Sequence, residues 1–186
     1  MHTIEGRLVS LREIQESDLS TLHLWRNSDS YRKYCSTRRN IVSFEEFKKE
    51  IGHDLAKDRF LQCVILNRKS ESVGSIFAYG LNRTDGYIFV TTYVDPRYEK
   101  KGLGAEAFAL FIQHLFRSLD LYKLYTEAYS YNEHSIRCMT EIGLVEEGHF
   151  LGHRLIDGTR YDLIRFALFK TQLTEIDTKL KRWLKC

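Results

Sequence analysis

The 186 residues include 28 Lys and Arg and 25 Asp and Glu, which gives a formal net charge of +3, and 43% of the residues are hydrophobic. This length and apolar content suffice for one domain with a sizeable core. The charge forms no basic stripe and no run approaches the roughly 18 apolar residues of a membrane span, so we expect neither a nucleic acid nor a membrane as partner.

The N-terminus and the cysteines predict where the protein works. Residues 1–14 lack the charged start, apolar centre and cleavage site of a secretory signal. The four cysteines are far apart and form no CxxC pair, which favours free thiols over disulfides. No His or Cys residues have the spacing of metal ligands. We therefore expect a cytoplasmic protein that uses no metal.

The first half of the chain predicts four strands and two helices. Alternation of apolar and polar residues indicates the first strand, apolar, β-branched and aromatic runs bounded by turn residues indicate the later strands, and apolar residues at helical spacing indicate the helices. Ser43 and Glu46 have the spacing of a capping box, and Asp85-Gly86 is typical of a hairpin turn. In chain order we predict a strand over 7–14, helices over 16–27 and 43–56, and strands over 60–66, 72–81 and 87–94.

The second half predicts alternating helices and strands and ends with a hairpin. Asn132 is a favourable N-cap, Gly143 is typical of the residue after a helix, and Asp157-Gly158 indicates a turn. In chain order we predict a helix over 102–117, a strand over 121–129, a helix over 133–142, a hairpin over 144–170 and a helix over 172–185. This order predicts an α/β (α+β) fold, with a mixed, mostly antiparallel central sheet and helices on both faces.

The domain organisation is simple. The chain contains one proline, and no segment rich in Pro, Gly or Ser divides it. We predict one domain over residues 1–171 and an amphipathic helical extension over 172–186. Two interpretations of the extension are open, because its apolar stripe can pack on its own domain or on the partner subunit of a homodimer.

The stretch 93–107 carries the strongest chemical signal. A strand runs into a loop that contains Gly102 and Gly104, and the loop leads directly into an amphipathic helix. A helix N-terminus offers unpaired amides and a positive dipole end, and glycines let a phosphate approach the backbone. Lys100 and Lys101 add positive charge. The pattern predicts a pyrophosphate-binding site, with an ordinary tight turn between strand and helix as the alternative.

Two other phosphate-binding motifs fit this loop less well. The spacing of a Walker loop is absent. A dinucleotide-binding fold tolerates Ala107 at its third glycine position, but it places the loop after its first strand. Here the loop follows three strands that tight turns connect. A nucleotide-binding domain of another fold stays open as an alternative.

Several motifs in order resemble the GCN5-related N-acetyltransferase (GNAT) superfamily, over residues 5–170. The loop Glu99–Gly104 resembles its acetyl-CoA loop, R/Q-x-x-G-x-G/A. The segment Asn132–Ser135, followed by 141–144, resembles its N-x-x-S/A motif. Trp25-Arg26-Asn27 is similar to the WRN of a branch that contains ribosomal-protein N-terminal, spermidine and amino-sugar acetyltransferases. The hairpin turn at Asp157 resembles the last hairpin of that branch.

The resemblance implies an acetyl-CoA-dependent enzyme that transfers an acetyl group directly to a primary amine. The pantetheine arm of the co-substrate is expected to lie along strand 87–94, with Asn132 in contact. The expected backbone contacts along this strand come from Thr92, Tyr93 and Val94. The expected contacts to the pyrophosphate come from Lys100, Lys101, Gly102, Leu103, Gly104 and Ala105.

The resemblance also implies catalytic residues, with two departures. Ser135 is expected beside the departing thiolate, although a Ser in the first turn of a helix also has a capping role. Glu127 is a candidate base, or else a sheet-face glutamate paired with Lys. Glu99 replaces the Arg or Gln of the loop, and Met139 replaces the tyrosine that serves as general acid in much of the superfamily.

The acceptor is open at this point. Candidates are a protein N-terminus, an amino sugar, a polyamine or an antibiotic, and the WRN motif favours a nucleotide-linked amino sugar or a ribosomal-protein N-terminus. Arg26 and Asn27 either line the acceptor pocket or cap a helix, and residues 28–42 help to shape that pocket. Glu99 and Met139 motivate a second class of function, a non-catalytic acyl-CoA-binding module.

Overall fold

The computed structural model describes residues 3–57, 59–99 and 102–183. The strands are β1 (Ile4–Glu5), β2 (Val9–Glu13), β3 (Arg59–Asn67), β4 (Ser72–Asn82), β5 (Tyr87–Val94), β6 (Lys123–Tyr129), β7 (Val145–Ile156) and β8 (Thr159–Phe169). The helices are α1 (Leu19–Arg26), α2 (Asp29–Tyr34), α3 (Phe44–Lys57), α4 (Leu103–Ser118), α5 (Glu133–Ile142) and α6 (Leu173–Trp183).

The strands form one sheet in the order β1-β2-β3-β4-β5-β6-β8-β7. All neighbouring strands are antiparallel except β5 and β6, which are parallel. The connection between these two strands contains α4, as a parallel pair requires a crossover. The predicted mixed, mostly antiparallel sheet is confirmed.

Two hydrophobic clusters lie on opposite faces of the sheet. The first joins α4 to inward residues of the strands, such as Ile88 and Val90 of β5. The second joins α1, α2 and α3 to Tyr93, which has the opposite parity on the same strand. Successive residues of a strand point to opposite faces, so β5 contributes to both clusters. The predicted helices on both faces are therefore present.

Helix α6 packs on its own domain. Ile176 is 1% exposed and belongs to the same cluster as α4, and Leu173 packs against it. The helix contacts both α4 and α5. The end of the predicted extension, residues 184–186, lies outside the described residues. No helix in the described part of the chain is long and apolar enough to cross a membrane.

The structure adds two elements near the N-terminus that the sequence pattern did not predict. The predicted strand 7–14 begins at Val9, because the buried carboxylate of Glu106 accepts the backbone N–H groups of residues 7–9. Ile4 and Glu5 form a separate short strand against β2. Part of the segment 28–42 is helical, since Ser28 caps α2 by accepting a hydrogen bond from the Tyr31 N–H.

Candidate active site

The parallel strands β5 and β6 separate towards their carboxyl ends. They pair only over Tyr87–Phe89 and Lys123–Tyr125. Beyond this point β6 continues to pair with β8, and β5 continues to pair with β4. On one side of residues 90–94 of β5, therefore, no strand lies among the described residues, and we call this side the open side of β5.

The backbone of β5 alternates between β4 and this open side. The Asp95 N–H donates to the Val73 carbonyl at 2.9 Å, so the residues of odd number direct their backbone groups to β4. Tyr93 is one of them. Thr92 and Val94 direct their N–H and C=O groups to the open side. Of the predicted backbone contacts, the geometry favours Val94 and Thr92 over Tyr93.

Two helix N-termini lie at the same edge of the sheet. The carboxyl ends of parallel strands meet at one edge, so α4 after β5 and α5 after β6 both begin there. Asn132 caps α5, and its side-chain oxygen accepts the Ser135 N–H at 3.3 Å. Unpaired amides and the positive ends of two helix dipoles make this edge suitable for an anion.

The loop before α4 brings the backbone close to β5. Gly102 adopts the left-handed conformation, with φ of 72°. At Gly104 a Cβ atom would lie 3.0 Å from Val94 Cγ2, so the start of α4 packs directly against the strand. Leu103 is buried and Ala105 is half-buried. Lys100 and Lys101 lie outside the described residues, and Glu99 is exposed.

One buried polar atom beside the open side has no partner. Thr92 Oγ1 is buried, and it has no hydrogen-bond partner among the described residues. Thr92 shares its parity with Ile88 and Val90, so its side chain lies on the α4 face of the sheet. An unpaired buried hydroxyl costs free energy, and a bound ligand can recover it. The open strand, the two helix N-termini and this hydroxyl together fit the elongated anionic co-substrate that the resemblance implies.

The two predicted catalytic residues lie on different elements. Ser135 is the third residue of α5 and is half-buried. Glu127 lies on β6 and pairs with Arg165 rather than with Lys, and Nε and Nη2 approach the same carboxylate oxygen at 2.8 and 2.7 Å. The Arg165 guanidinium lies over three aromatic rings, those of Phe89, Tyr125 and Phe150.

A cavity of about 320 Å³ lies between the sheet and the helices α1–α3, on the face opposite α4. Thr91 of β5 and Tyr79 of β4 form part of its sheet wall. Burial, followed by the charge of Glu127, raises the pKa of Tyr79 to about 12, so this phenol is neutral at pH 7. Apolar and aromatic side chains complete much of the wall: Leu22, Trp25, Tyr31, Phe47, Ile51 and Phe77.

Four charged residues line the cavity. Glu50 and Asp54 lie one turn apart on α3, so both point to the same side of the helix. Arg26 at the end of α1 binds Glu50 through two nitrogens, and Arg38 approaches both carboxylates. The sequence analysis missed the two carboxylates, although an acidic pair four residues apart on a predicted helix was readable.

The structure separates the two roles that were open for Arg26 and Asn27. Arg26 lines the cavity. Asn27 is the C-cap of α1, and its side chain also fixes the following loop, because it accepts the Val42 N–H at 3.0 Å and donates to the Val42 carbonyl at 2.9 Å. Trp25 is buried and donates its indole N–H to Asp95 at 2.9 Å, which ties α1 to the end of β5.

Comparisons with known proteins agree with this geometry. A family model described as an acetyltransferase (GNAT) domain matches residues 8–145. The spermidine N(1)-acetyltransferase of Escherichia coli (strain K12) is 26% identical over 166 residues, which cover 88% of this chain and 87% of that protein. The enzyme of the same name from Vibrio cholerae is 22% identical and covers 88% of this chain and 94% of its own length.

Solved structures share the fold. The structure of spermidine N-acetyltransferase from Vibrio cholerae in complex with CoA and spermine has a TM-score of 0.83 at 19% identity, and covers 91% of this chain and 99% of that one. A GCN5-related N-acetyltransferase from Brucella melitensis has a TM-score of 0.77 at 19% identity, over 98% and 85% of the two chains. Because the family model spans most of the sequence, the chain belongs to the GNAT acetyltransferase family.

Proposed function

We propose that this acetyl-CoA-dependent N-acetyltransferase acetylates a primary amine of a polyamine. The observation that carries the proposal is the cavity on the face opposite α4, which extends from Thr91 beside the open side of β5 to Glu50 and Asp54 on α3. One acceptor can therefore present an amine near the open side and place another charge at α3. The names of the curated relatives point to the same acceptor class.

The chemistry of the cavity suits a polyamine. At neutral pH a polyamine carries several ammonium groups separated by methylene chains. Carboxylates bind ammonium groups through charge-assisted hydrogen bonds, and aromatic rings attract cations and cover methylene groups. The cavity combines both, because Glu50 and Asp54 lie among rings that include Trp25, Tyr31 and Tyr79. A nucleotide-linked amino sugar would instead place phosphate groups near two carboxylates.

The residues that hold the co-substrate follow from the open side of β5. Bound acetyl-CoA supplies the acetyl thioester. We expect the backbone groups of Thr92 and Val94 to bind the pantetheine arm, and the Thr92 hydroxyl to gain a partner there. The amides at the start of α4, in residues 102–105, are expected to bind the pyrophosphate, with Lys100 and Lys101 adding charge.

Two residues are proposed to handle protons. The amine must lose a proton before it reacts. Glu127 lies on β6, and its negative charge contributes to the raised pKa of the Tyr79 hydroxyl in the cavity wall. We propose Glu127 as the base, directly or through water, with Arg165 fixing its position. Ser135, at the start of α5, is proposed to donate a hydrogen bond to the departing sulfur, because Met139 has no proton to give.

The acceptor is tested by measuring thiol release from acetyl-CoA with a panel of amines. The panel contains spermidine, spermine, a nucleotide-linked amino sugar, an aminoglycoside and a peptide with a free N-terminus. We expect kcat/KM for the polyamines to exceed the others by at least about tenfold, because they combine a second ammonium for α3 with a methylene chain that can lie along the aromatic wall. Preferred turnover of the amino sugar or the peptide would contradict the polyamine assignment.

The same assay tests Ser135. We expect Ser135→Ala to lower kcat by about tenfold or more with a small change in the KM for acetyl-CoA, since the hydroxyl acts on the leaving group. Thr140→Ala is the matched control, because Thr140 lies on the same helix and its hydroxyl donates to the Ile136 carbonyl at 3.0 Å. An unchanged kcat in Ser135→Ala would exclude the Ser135 hydroxyl from the reaction.

We further propose that the protein works in the cytoplasm. Cys35, Cys63 and Cys138 are free thiols, as expected in a reducing compartment. Burial raises the pKa of Cys35 and of Cys63 to about 12, which keeps both thiols protonated at neutral pH. The homodimer stays a prediction, and sedimentation of the purified chain measures it directly.

A further inference from the structure

The two cavity arginines are held very differently. The Arg26 side chain is 7% exposed, and it donates to Glu50 at 3.1 and 3.3 Å and to the Asn40 carbonyl at 3.0 Å. The Arg38 side chain is 46% exposed and lies 3.3 Å from Asp54 and 3.8 Å from Glu50. Arg26 is therefore a fixed part of the wall, whereas Arg38 reaches the carboxylates from solvent.

Arg38 lies where another cation could take its place beside the two carboxylates. It lies in the segment between α2 and α3, outside any helix or strand. Exposed ion pairs at such distances contribute little to stability, because solvent screens them and a long side chain loses freedom. The carboxylates beneath it are better shielded, since the Glu50 side chain is 23% and the Asp54 side chain 15% exposed.

We propose that Glu50 and Asp54 form the subsite for the distal ammonium of the acceptor, and that Arg38 occupies this subsite until the acceptor displaces it. This inference rests on the proposed polyamine function. In the resting protein the guanidinium balances the second carboxylate. When the acceptor enters, its ammonium takes the place of the guanidinium, and Arg38 turns into solvent.

The displacement affects the affinity for polyamines and not that for monoamines. An acceptor with one amine reaches the open side of β5 but gains nothing at α3, and so leaves Arg38 in place. An acceptor with a second ammonium replaces the ion pair of Arg38 with its own ion pair. Its methylene groups then contact the aromatic side chains of the cavity wall. The cost of removing Arg38 therefore falls only on acceptors with a second ammonium, and Arg38 sets how tightly such acceptors bind.

The test is the KM for spermidine in Arg38→Ala. We expect KM to fall two- to fivefold, the fold-change that corresponds to an exposed ion pair. The KM for a monoamine of similar chain length is expected to stay constant. Arg39→Ala is the matched control, because it removes the same charge from the next residue, which does not line the cavity. It is expected to leave the KM for spermidine unchanged.

A second variant tests the subsite independently of Arg38. Asp54→Asn is expected to raise the KM for spermidine about tenfold, because a charge-assisted hydrogen bond becomes a neutral one. In the double variant the Arg38→Ala effect should disappear, since the shared carboxylate is gone. Thermal unfolding of each variant separates loss of binding from loss of folding.

The outcomes distinguish this inference from the function on which it rests. An unchanged or raised KM for spermidine in Arg38→Ala, or an equal fall in Arg39→Ala, overturns the displacement while polyamine turnover stands. If the wild type acetylates other amines and no polyamine, the proposed function itself fails.

Discussion

At the residue scale, Thr92 marks the site more sharply than any motif. Its hydroxyl is buried without a hydrogen-bond partner among the described residues, and its backbone faces the open side of β5. Buried polar groups in folded proteins are nearly always paired, so this hydroxyl is a candidate contact for the bound co-substrate. Nothing in the run of strand residues from Tyr87 to Val94 distinguishes Thr92 from Thr91, which lines the cavity on the other face.

Thr92→Val is predicted to weaken CoA binding without lowering stability. Removal of an unpartnered hydroxyl leaves the free energy of unfolding unchanged or raises it by about 1 kcal/mol. The Kd for CoA is expected to rise about five- to tenfold, because the ligand loses a hydrogen bond. Titration calorimetry and thermal unfolding measure the two effects. Thr92→Ser keeps the hydroxyl and should bind CoA like the wild type, and a normal Kd in Thr92→Val would place the ligand elsewhere.

The partners of acidic side chains could not be predicted from the sequence. Glu127 was predicted as a base or as a glutamate paired with Lys, and its partner is Arg165, 38 residues further along the chain. Glu106 reads as an ordinary acidic residue in the first turn of a helix, yet it is buried and binds the backbone of residues 7–9. Such partners depend on tertiary contacts, which local sequence patterns do not reveal.

At the element scale, the sequence predicted the segments with strong local signals well. For the majority of their ends, the predicted and observed bounds agree to within one residue. The helix α3 begins at a capping box, in which Glu46 N–H donates to Ser43 Oγ at 3.2 Å and Ser43 N–H donates to Glu46 Oε2 at 2.8 Å. Asn132 caps α5 as predicted. The short helix α2 escaped prediction because its six residues depend on contacts such as that of Tyr31 with Tyr93.

The contact between α4 and β5 gives an element-scale prediction. Gly104→Val forces the start of α4 away from Val94, because even a Cβ would lie 3.0 Å from Val94 Cγ2. We expect the free energy of unfolding to fall by about 1–3 kcal/mol and the affinity for CoA to fall at least about tenfold. Chemical denaturation and calorimetry measure both.

The control for this variant is Gly52→Val on α3. Around Gly52 no atom lies within 4 Å of an added Cβ, so the substitution is unhindered. We expect the free energy of unfolding to rise by roughly a few tenths of a kcal/mol, because Val has a higher helix propensity than Gly. CoA binding is expected to stay unchanged. Equal CoA affinity in Gly104→Val and Gly52→Val would contradict a co-substrate site at the start of α4.

At the scale of the whole molecule, the two halves of the candidate site differ in how far the sequence predicts them. The co-substrate side comes from consecutive elements, β5 with α4 and β6 with α5, so ordered motifs pointed to it. The acceptor side is assembled from distant segments. Arg154 of β7, for example, donates to the carbonyls of Arg32 and Ser36, more than 100 residues away, and so fixes one wall of the cavity region.

This difference explains why the acceptor stayed open in the sequence analysis. The WRN motif favoured an amino sugar or a protein N-terminus. Its last two residues, however, differ in role, since Arg26 lines the cavity and Asn27 fixes a loop. The carboxylates of Glu50 and Asp54 become significant only when α3 is placed opposite Thr91 and Tyr79. Acceptor chemistry is thus a property of the assembled fold.

The most direct test of the account is a crystal structure of the protein with CoA and spermidine. It should show the CoA sulfur on the open side of β5, beside Thr92 and Val94. An ammonium of spermidine should lie within hydrogen-bond distance of Glu50 or Asp54, on the other face of the sheet. CoA bound away from β5, or spermidine bound outside the cavity between the sheet and α3, would contradict the account.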